Sequence, residues 1–458
     1  MKHGVNKIFS STVEYTKNTS LLVGTLFNRV LLLQQWLLTK IDVFAQLGLA
    51  ALSAFLHFWR ITVPAGPVFD EVYFPVFANN YLEGTSFFDT HPPLGKYLIA
   101  VGIRFFGYNP LGIRVMAALF GVLVIVVIYR LAKLLFNSRR VAFLAGLFAA
   151  LDGLLLVESR AGLINIFALF FSLSAYYLFL RSGEEDLAPP QWLYLAGAGV
   201  CIGAATAVKW IGAASLGVIL MVYLFSLIRN KLSWLKNWTQ RKTLVTKIGR
   251  IQPLVFVACC LLLPLLLYAS TFVIHLQQNP QYSFIELHKQ MFGYHSHLQE
   301  GHHYASEWWS WPLLLRPVSY YWEIDGATQQ ASSILNLGNP ALWWLAIPAV
   351  AFGLWAAFFR RDFGAQFALL ALCAHYLPFA IISRATFLYH FLGALPFTII
   401  LLAFALNRLW LDKGWRRELA ALAIFAIILC AVYFFPIWTA WPTPEGAFYQ
   451  RMWFLSWI

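Results

Sequence analysis

The sequence predicts an all-α polytopic membrane protein, and three observations carry that prediction. Of 458 residues, 60% are hydrophobic and 12% are charged, about half the charged share of a soluble domain. The apolar residues gather into about eleven runs, each near the ~20 residues that span a hydrocarbon core. Basic residues fall in the links between runs, on one side of an eleven-span arrangement.

The expected spans lie near 43–60, 112–136, 141–158, 163–181, 191–208, 209–228, 253–275, 341–359, 364–382, 388–408 and 417–437. Arg29 and Lys40 precede the first. Lys133, Arg139 and Arg140 lie between the second and third. The 229–250 link holds seven Lys and Arg and no acid. Arg360-Arg361 follow the eighth span, and Arg408, Lys413, Arg416 and Arg417 follow the tenth. By the positive-inside rule that side is the cytoplasm, with the C-terminus outside. Segment 21–38 is apolar but interrupted by Asn28, Arg29, Gln34 and Gln35, so it reads as an interfacial helix. The organisation is a cytoplasmic segment over 1–42, a membrane domain over 43–438 and an external tail over 439–458.

The formal charge of +13 is accounted for by these topology-setting clusters, so no nucleic-acid partner is expected. The five cysteines lie inside apolar runs without CxxC spacing and read as small core residues. Residues 1–20 are polar and carry no cleavable signal pattern.

Two external loops, 61–111 and 276–340, concentrate the polar chemistry. They hold nine of the twenty acids, and 275–303 holds six of the eleven histidines. Asp70-Glu71 is flanked by Val68-Phe69 and Val72-Tyr73-Phe74. Carboxylates in an apolar setting are costly, gain proton affinity and suit a general base. In His91-Pro92-Pro93-Leu94-Gly95-Lys96 the prolines stiffen the turn, but that explains neither His91 nor Lys96. Arg114, Arg160, Lys209 and Arg384 stand at span ends, where they can face inward and attract an anion such as a lipid phosphate. His295-Ser296-His297 with His302-His303 lacks a defined third ligand, so no metal site is expected. Trp308-Trp309-Ser310-Trp311-Pro312 suits an interfacial belt or a sugar ring.

These motifs, in this order, resemble the protein O-mannosyltransferases of the GT-C glycosyltransferase class. The anchors are Phe69 to Phe74, His91 to Lys96, Arg114 before Leu119-Phe120-Gly121, Glu158-Ser159-Arg160, Val208-Lys209-Trp210, His302 to Pro312 with Arg316-Pro317, and Ser383 to His390. The resemblance implies GT-C architecture and transfer of mannose from a polyprenyl-phosphate carrier to Ser or Thr hydroxyls of proteins on the outer face. It carries the family's acidic pair onto Asp70 and Glu71. Where the family usually has an acid in Arg-x-x-x-x-Asp, this chain has Asn165. Loop 276–340 is too short for the β-rich insert of eukaryotic members, which implies a compact bacterial type in the plasma membrane.

A sugar on a lipid phosphate already has a good leaving group, so the reaction needs a base for the acceptor hydroxyl and cations for the phosphate. Asp70 is the expected base, with Glu71 orienting the acceptor or supporting Asp70. His91, Lys96, Arg114, Arg160, Lys209, Arg384 and His390 are the expected carrier-phosphate set. Tyr73, His302, Trp308 and Trp309 are the expected acceptor or sugar contacts. No cofactor is expected. The rival readings are a GT-C enzyme acting on a lipid or cell-wall glycan, and a transporter of lipid-linked sugars; the absence of a repeat argues against the latter.

Overall fold

The computed structural model describes residues 40–184, 190–297 and 301–458. The interfacial helix expected over 21–38, and most of the 1–42 segment, lie outside the described residues.

The chain folds as an integral membrane protein built from packed helices. Eight are long and apolar enough to cross a bilayer: Lys40–Phe58, Pro110–Phe136, Gln191–Val208, Trp210–Lys231, Pro253–Gln278, Pro340–Phe359, Phe363–Ile381 and Trp415–Trp438. A ninth candidate is a pair, Arg139–Ala150 and Gly153–Arg160, bent by 59°. Asn165–Arg181 and Leu395–Leu411 are apolar but shorter. Every expected span coincides with one of these. One boundary moves: residues 388–393 form a separate 3-10 turn, and the helix starts at Leu395. This detached turn carries Tyr389 and His390 into the interior.

Local chemistry places the helix ends. Asn109 accepts from the Leu111 and Gly112 amides, with Pro110 at the first helical position, where its missing N–H costs nothing. Asp152 makes the 59° bend a built feature. It caps Leu155 and also accepts from Asn339 N and Trp343 Nε1, at 3.1 and 2.7 Å. The Pro253–Gln278 helix widens to a π turn over Ala258–Leu262, next to Pro264, which cannot supply a normal helical bond. Gly199 lets that helix pass close, since a Cβ there would lie 1.8 Å from the Cys259 carbonyl oxygen.

The two loops are ordered structures. Loop 61–111 contains helices Phe74–Glu83 and Leu94–Phe106. Loop 276–340 contains helix Phe284–His297, a 3-10 turn over Trp308–Leu313 and a hairpin of β1 (Val318–Asp325) and β2 (Gln330–Asn336). A short β3 (Thr443–Pro444) pairs with β2, so a small antiparallel sheet accompanies the helices. The C-terminal residues pack onto the same loop: Arg316 donates to the Ser456 carbonyl at 2.7 Å and Trp457 to the Leu314 carbonyl at 2.6 Å.

Candidate active site

The site begins with a clamp. Glu71 and Arg114 are 2% and 1% exposed. Arg114 Nε donates to Glu71 Oε1 and Nη2 to Oε2, both at 2.8 Å. The remaining guanidinium hydrogens go to the carbonyls of Ile61, Pro64 and Gly66 at 2.8–3.0 Å. All five guanidinium N–H groups are thereby used. Glu71 also accepts from Val68 N at 2.9 Å and Gly162 N at 2.7 Å. Gly162 fits there because a Cβ would meet the Ile113 carbonyl at 2.9 Å. The clamp fixes loop 61–71 against the turn between Arg160 and Asn165.

Asp70 is left free by this arrangement. Its carboxylate has no hydrogen bond to a described residue, while burial pushes its pKa up to about 6 and the charge of Lys209 partly opposes the rise. Phe69, with φ +46°, holds the turn in a left-handed conformation costing ~1–2 kcal/mol. Its ring stacks on Tyr320 at 4.2 Å and meets Tyr389 edge-on at 5.7 Å, which offsets that strain.

A cavity of about 410 Å³ opens near Asp70, which is not itself among the lining residues: Tyr389, which meets Phe69, and Lys209, whose charge acts on Asp70, line it. Its polar wall includes His91, Asn165, Lys209, His295, Arg384 and His390; Ala168, Leu169, Phe379, Ile382 and Leu392 form an apolar arm. Lys209 Nζ donates to Asn165 Oδ1 at 3.0 Å and lies 6.0 Å from the Tyr389 ring centre. Arg384 has no hydrogen bond or ion pair to a described residue. His91 and His295 face each other at 5.2 Å. Burial holds both imidazoles below the usual histidine range, helped for His91 by Lys209 and Lys96 and for His295 by Arg384. Helix Phe284–His297 roofs this end. It seats Leu287 and Met291 on Phe272, and His295 Nε2 lies 2.9 Å from the Thr90 carbonyl.

The structure therefore gathers His91, Lys209, Arg384 and His390 at one cavity with Asp70 alongside. It corrects the other phosphate assignments. Arg114 is consumed by the Glu71 clamp. Arg160 donates to the carbonyls of Leu56, His57 and Trp59 at 2.7–2.9 Å, stabilising the end of the first helix. Lys96 is fully buried, bonded to the carbonyls of His91 and Pro92 at 2.7 and 2.6 Å and ion-paired with Asp89. Glu71 spends its carboxylate on Arg114, Val68 N and Gly162 N and so supports the loop. Tyr73, His302, Trp308 and Trp309 do not line the cavity. Tyr73 and Trp309 are exposed, Trp308 accepts from Tyr376 through its carbonyl, and His302 stacks on His303.

Glu158, which has no evident role in the sequence beyond the Glu158-Ser159-Arg160 motif, joins the site in the fold. Its Oε2 accepts from Asn165 Nδ2 and its Oε1 from Asn336 Nδ2, both at 2.9 Å, and Tyr320 OH also donates to Oε1. The β1 register shifts between Ser319 and Tyr321. Tyr320 is buried, like Val318 two residues before it, as the alternation of a strand dictates. An acid within the apolar run Leu154-Leu155-Leu156-Val157 was the available signal for Glu158. Tyr320 and Asn336 had none. Among the described residues, no three His, Cys, Asp or Glu side chains come together as a metal site.

Known proteins resemble this chain over most of its length. The family model described as "Dolichyl-phosphate-mannose-protein mannosyltransferase" matches residues 48–113 and 109–279. A second, "C-terminal four TMM region of protein-O-mannosyltransferase", matches 280–457. A Corynebacterium glutamicum protein named polyprenol-phosphate-mannose–protein mannosyltransferase is 28% identical over 80% of this chain and 81% of its own length. A Mycolicibacterium smegmatis protein of the same name is 28% identical over 93% of each. The fold matches a chain of the Saccharomyces cerevisiae protein O-mannosyltransferase Pmt1–Pmt2 complex, solved with sugar donor, at TM-score 0.78 and 17% identity, covering 91% of this chain and 92% of that one.

Proposed function

Because this chain belongs to the protein O-mannosyltransferase family, and so is a membrane glycosyltransferase of GT-C architecture, we propose that it moves mannose from a polyprenyl-phosphate carrier to Ser or Thr hydroxyls of proteins. The observation that carries the mechanism is a half-buried carboxylate without hydrogen bonds to described residues, Asp70, close to a cavity with Lys209 and Arg384 on its wall and an apolar arm.

Asp70 takes the acceptor's hydroxyl proton. The freed oxygen attacks the anomeric carbon as the bond from that carbon to the phosphate oxygen breaks, and the electron pair leaves with the phosphate. Lys209 and Arg384 offset the growing negative charge, so the leaving group needs no proton. One displacement inverts the anomeric centre. The neutral imidazoles of His91 and His295 offer hydrogen bonds to sugar hydroxyls, and the apolar arm takes the first isoprene units. Glu71 and Arg114 act at a distance, by fixing the loop that presents Asp70. The alternation of basic links supports a cytoplasmic N-terminus and an external site.

The test is purified protein given labelled polyprenyl-phosphate mannose and a Ser/Thr-containing peptide. Label in the peptide is expected. Label entering only lipid or glycan, or donor movement without bond cleavage, would overturn the assignment.

A further inference from the structure

We infer that Asn165 is a positioning residue for Lys209, linking it to the buried Glu158 carboxylate, and that this pair of positions works only with one carboxylate and one amide. The inference rests on the reading of Lys209 as a ligand of the carrier phosphate.

The geometry is a chain of three side chains. Glu158 Oε2 accepts from Asn165 Nδ2 at 2.9 Å, and Asn165 Oδ1 accepts from Lys209 Nζ at 3.0 Å. An amide can donate to one neighbour while accepting from the other; a carboxylate cannot. Glu158 is fully buried, and its other oxygen accepts from Tyr320 and Asn336, so it cannot swing away. Lys209 has three N–H groups and one bond to a described residue. The link aims the ammonium at the cavity and leaves two donors for an anion.

The three residues come from separate elements: Glu158 from the bent helix pair, Asn165 from the start of the next helix, and Lys209 from the break between Gln191–Val208 and Trp210–Lys231. Asn165 is therefore the tie between them. Asn165→Asp would set two carboxylates about 2.9 Å apart. They must then share a proton, which restores one donor and one acceptor, or separate, and the separation moves Lys209. Glu158→Gln combined with Asn165→Asp restores one carboxylate and one amide in reversed order. The new amide at position 158 then donates to the new carboxylate at position 165, which still accepts from Lys209.

The experiment is a double-mutant cycle on the purified full-length protein, reading polyprenyl-phosphate affinity between pH 5 and 8 together with thermal midpoint. Asn165→Asp should weaken binding about tenfold at pH 8, with recovery as pH falls and the shared proton returns; a purely structural role would give a pH-independent loss. The double variant should bind within about threefold of wild type at all pH values. Asn165→Ala, which removes both bonds without adding charge, should lose about tenfold with no pH dependence. Wild-type affinity in Asn165→Asp and Asn165→Ala, or a double variant no better than Asn165→Asp, would overturn the inference. Lys209→Ala separates the two levels: weakened binding there retains the cavity reading even if the Asn165 variants behave as wild type, whereas unchanged binding removes both.

Discussion

Replacing Asp70 by Asn should stabilise this protein while abolishing its activity. Asp70 is pushed from its ordinary 3.8 to about 6 by burial. A raised carboxyl pKa means the folded state holds its proton more tightly than the unfolded chain. Stability from this group is therefore fully present below about pH 4 and is lost as pH rises through 6. The rise from 3.8 to about 6 corresponds to at most about 3 kcal/mol at neutral pH. Asparagine carries no charge to desolvate, so the variant should recover part of this, seen as a larger gain in thermal midpoint over wild type at pH 7.5 than at pH 5. Losing a general base should lower kcat by about 10²–10⁴-fold. The assay is initial-rate transfer to a Ser/Thr peptide across pH 5–8, with thermal unfolding of the same preparations. Wild-type activity should rise with pH through about 6. Near-normal transfer by the variant, or a wild-type rate falling with pH through that range, would refute the assignment of Asp70 as base.

Arg114→Lys should cost about 3–5 kcal/mol of stability, because an ammonium cannot replace the five-bond fork and leaves Glu71 short of partners in the interior; loss of folded protein in detergent is the readout. Arg384→Ala should raise the KM for the lipid-linked donor about tenfold with an unchanged thermal midpoint, since its guanidinium has no bond to a described residue. Tyr320→Phe should destabilise by about 1–3 kcal/mol, by removing one of three donors to the buried Glu158, and this too is measured by thermal unfolding.

The helical segments were legible because the bilayer demands a length and an apolarity that any chain must display locally. Asp70 stands out for a related reason: a carboxylate between Phe69 and Val72 is conspicuous where charge is costly. The roles of the cations were not. Arg114, Arg160, Lys209 and Arg384 look alike in sequence, each a positive residue at the end of an apolar run. Their fates differ because Arg114 meets Glu71 from 43 positions away and Arg160 meets the end of the first helix about 100 positions away, while Arg384 meets no such partner among the described residues. For the aromatic residues Tyr73, Trp308 and Trp309 residue type is the signal in the sequence, and type does not say which way a loop turns.

The amino-acid order by itself determined that this is a membrane-embedded, helical protein with nine of its twenty acids and six of its eleven histidines in two loops, since hydropathy and charge act within one segment at a time. Only the tertiary structure decided which charged groups are internal fastenings and which remain open to a ligand. That depends on which hydrogen-bond partners distant segments deliver, as when β1 brings Tyr320 to Glu158 from 162 positions away.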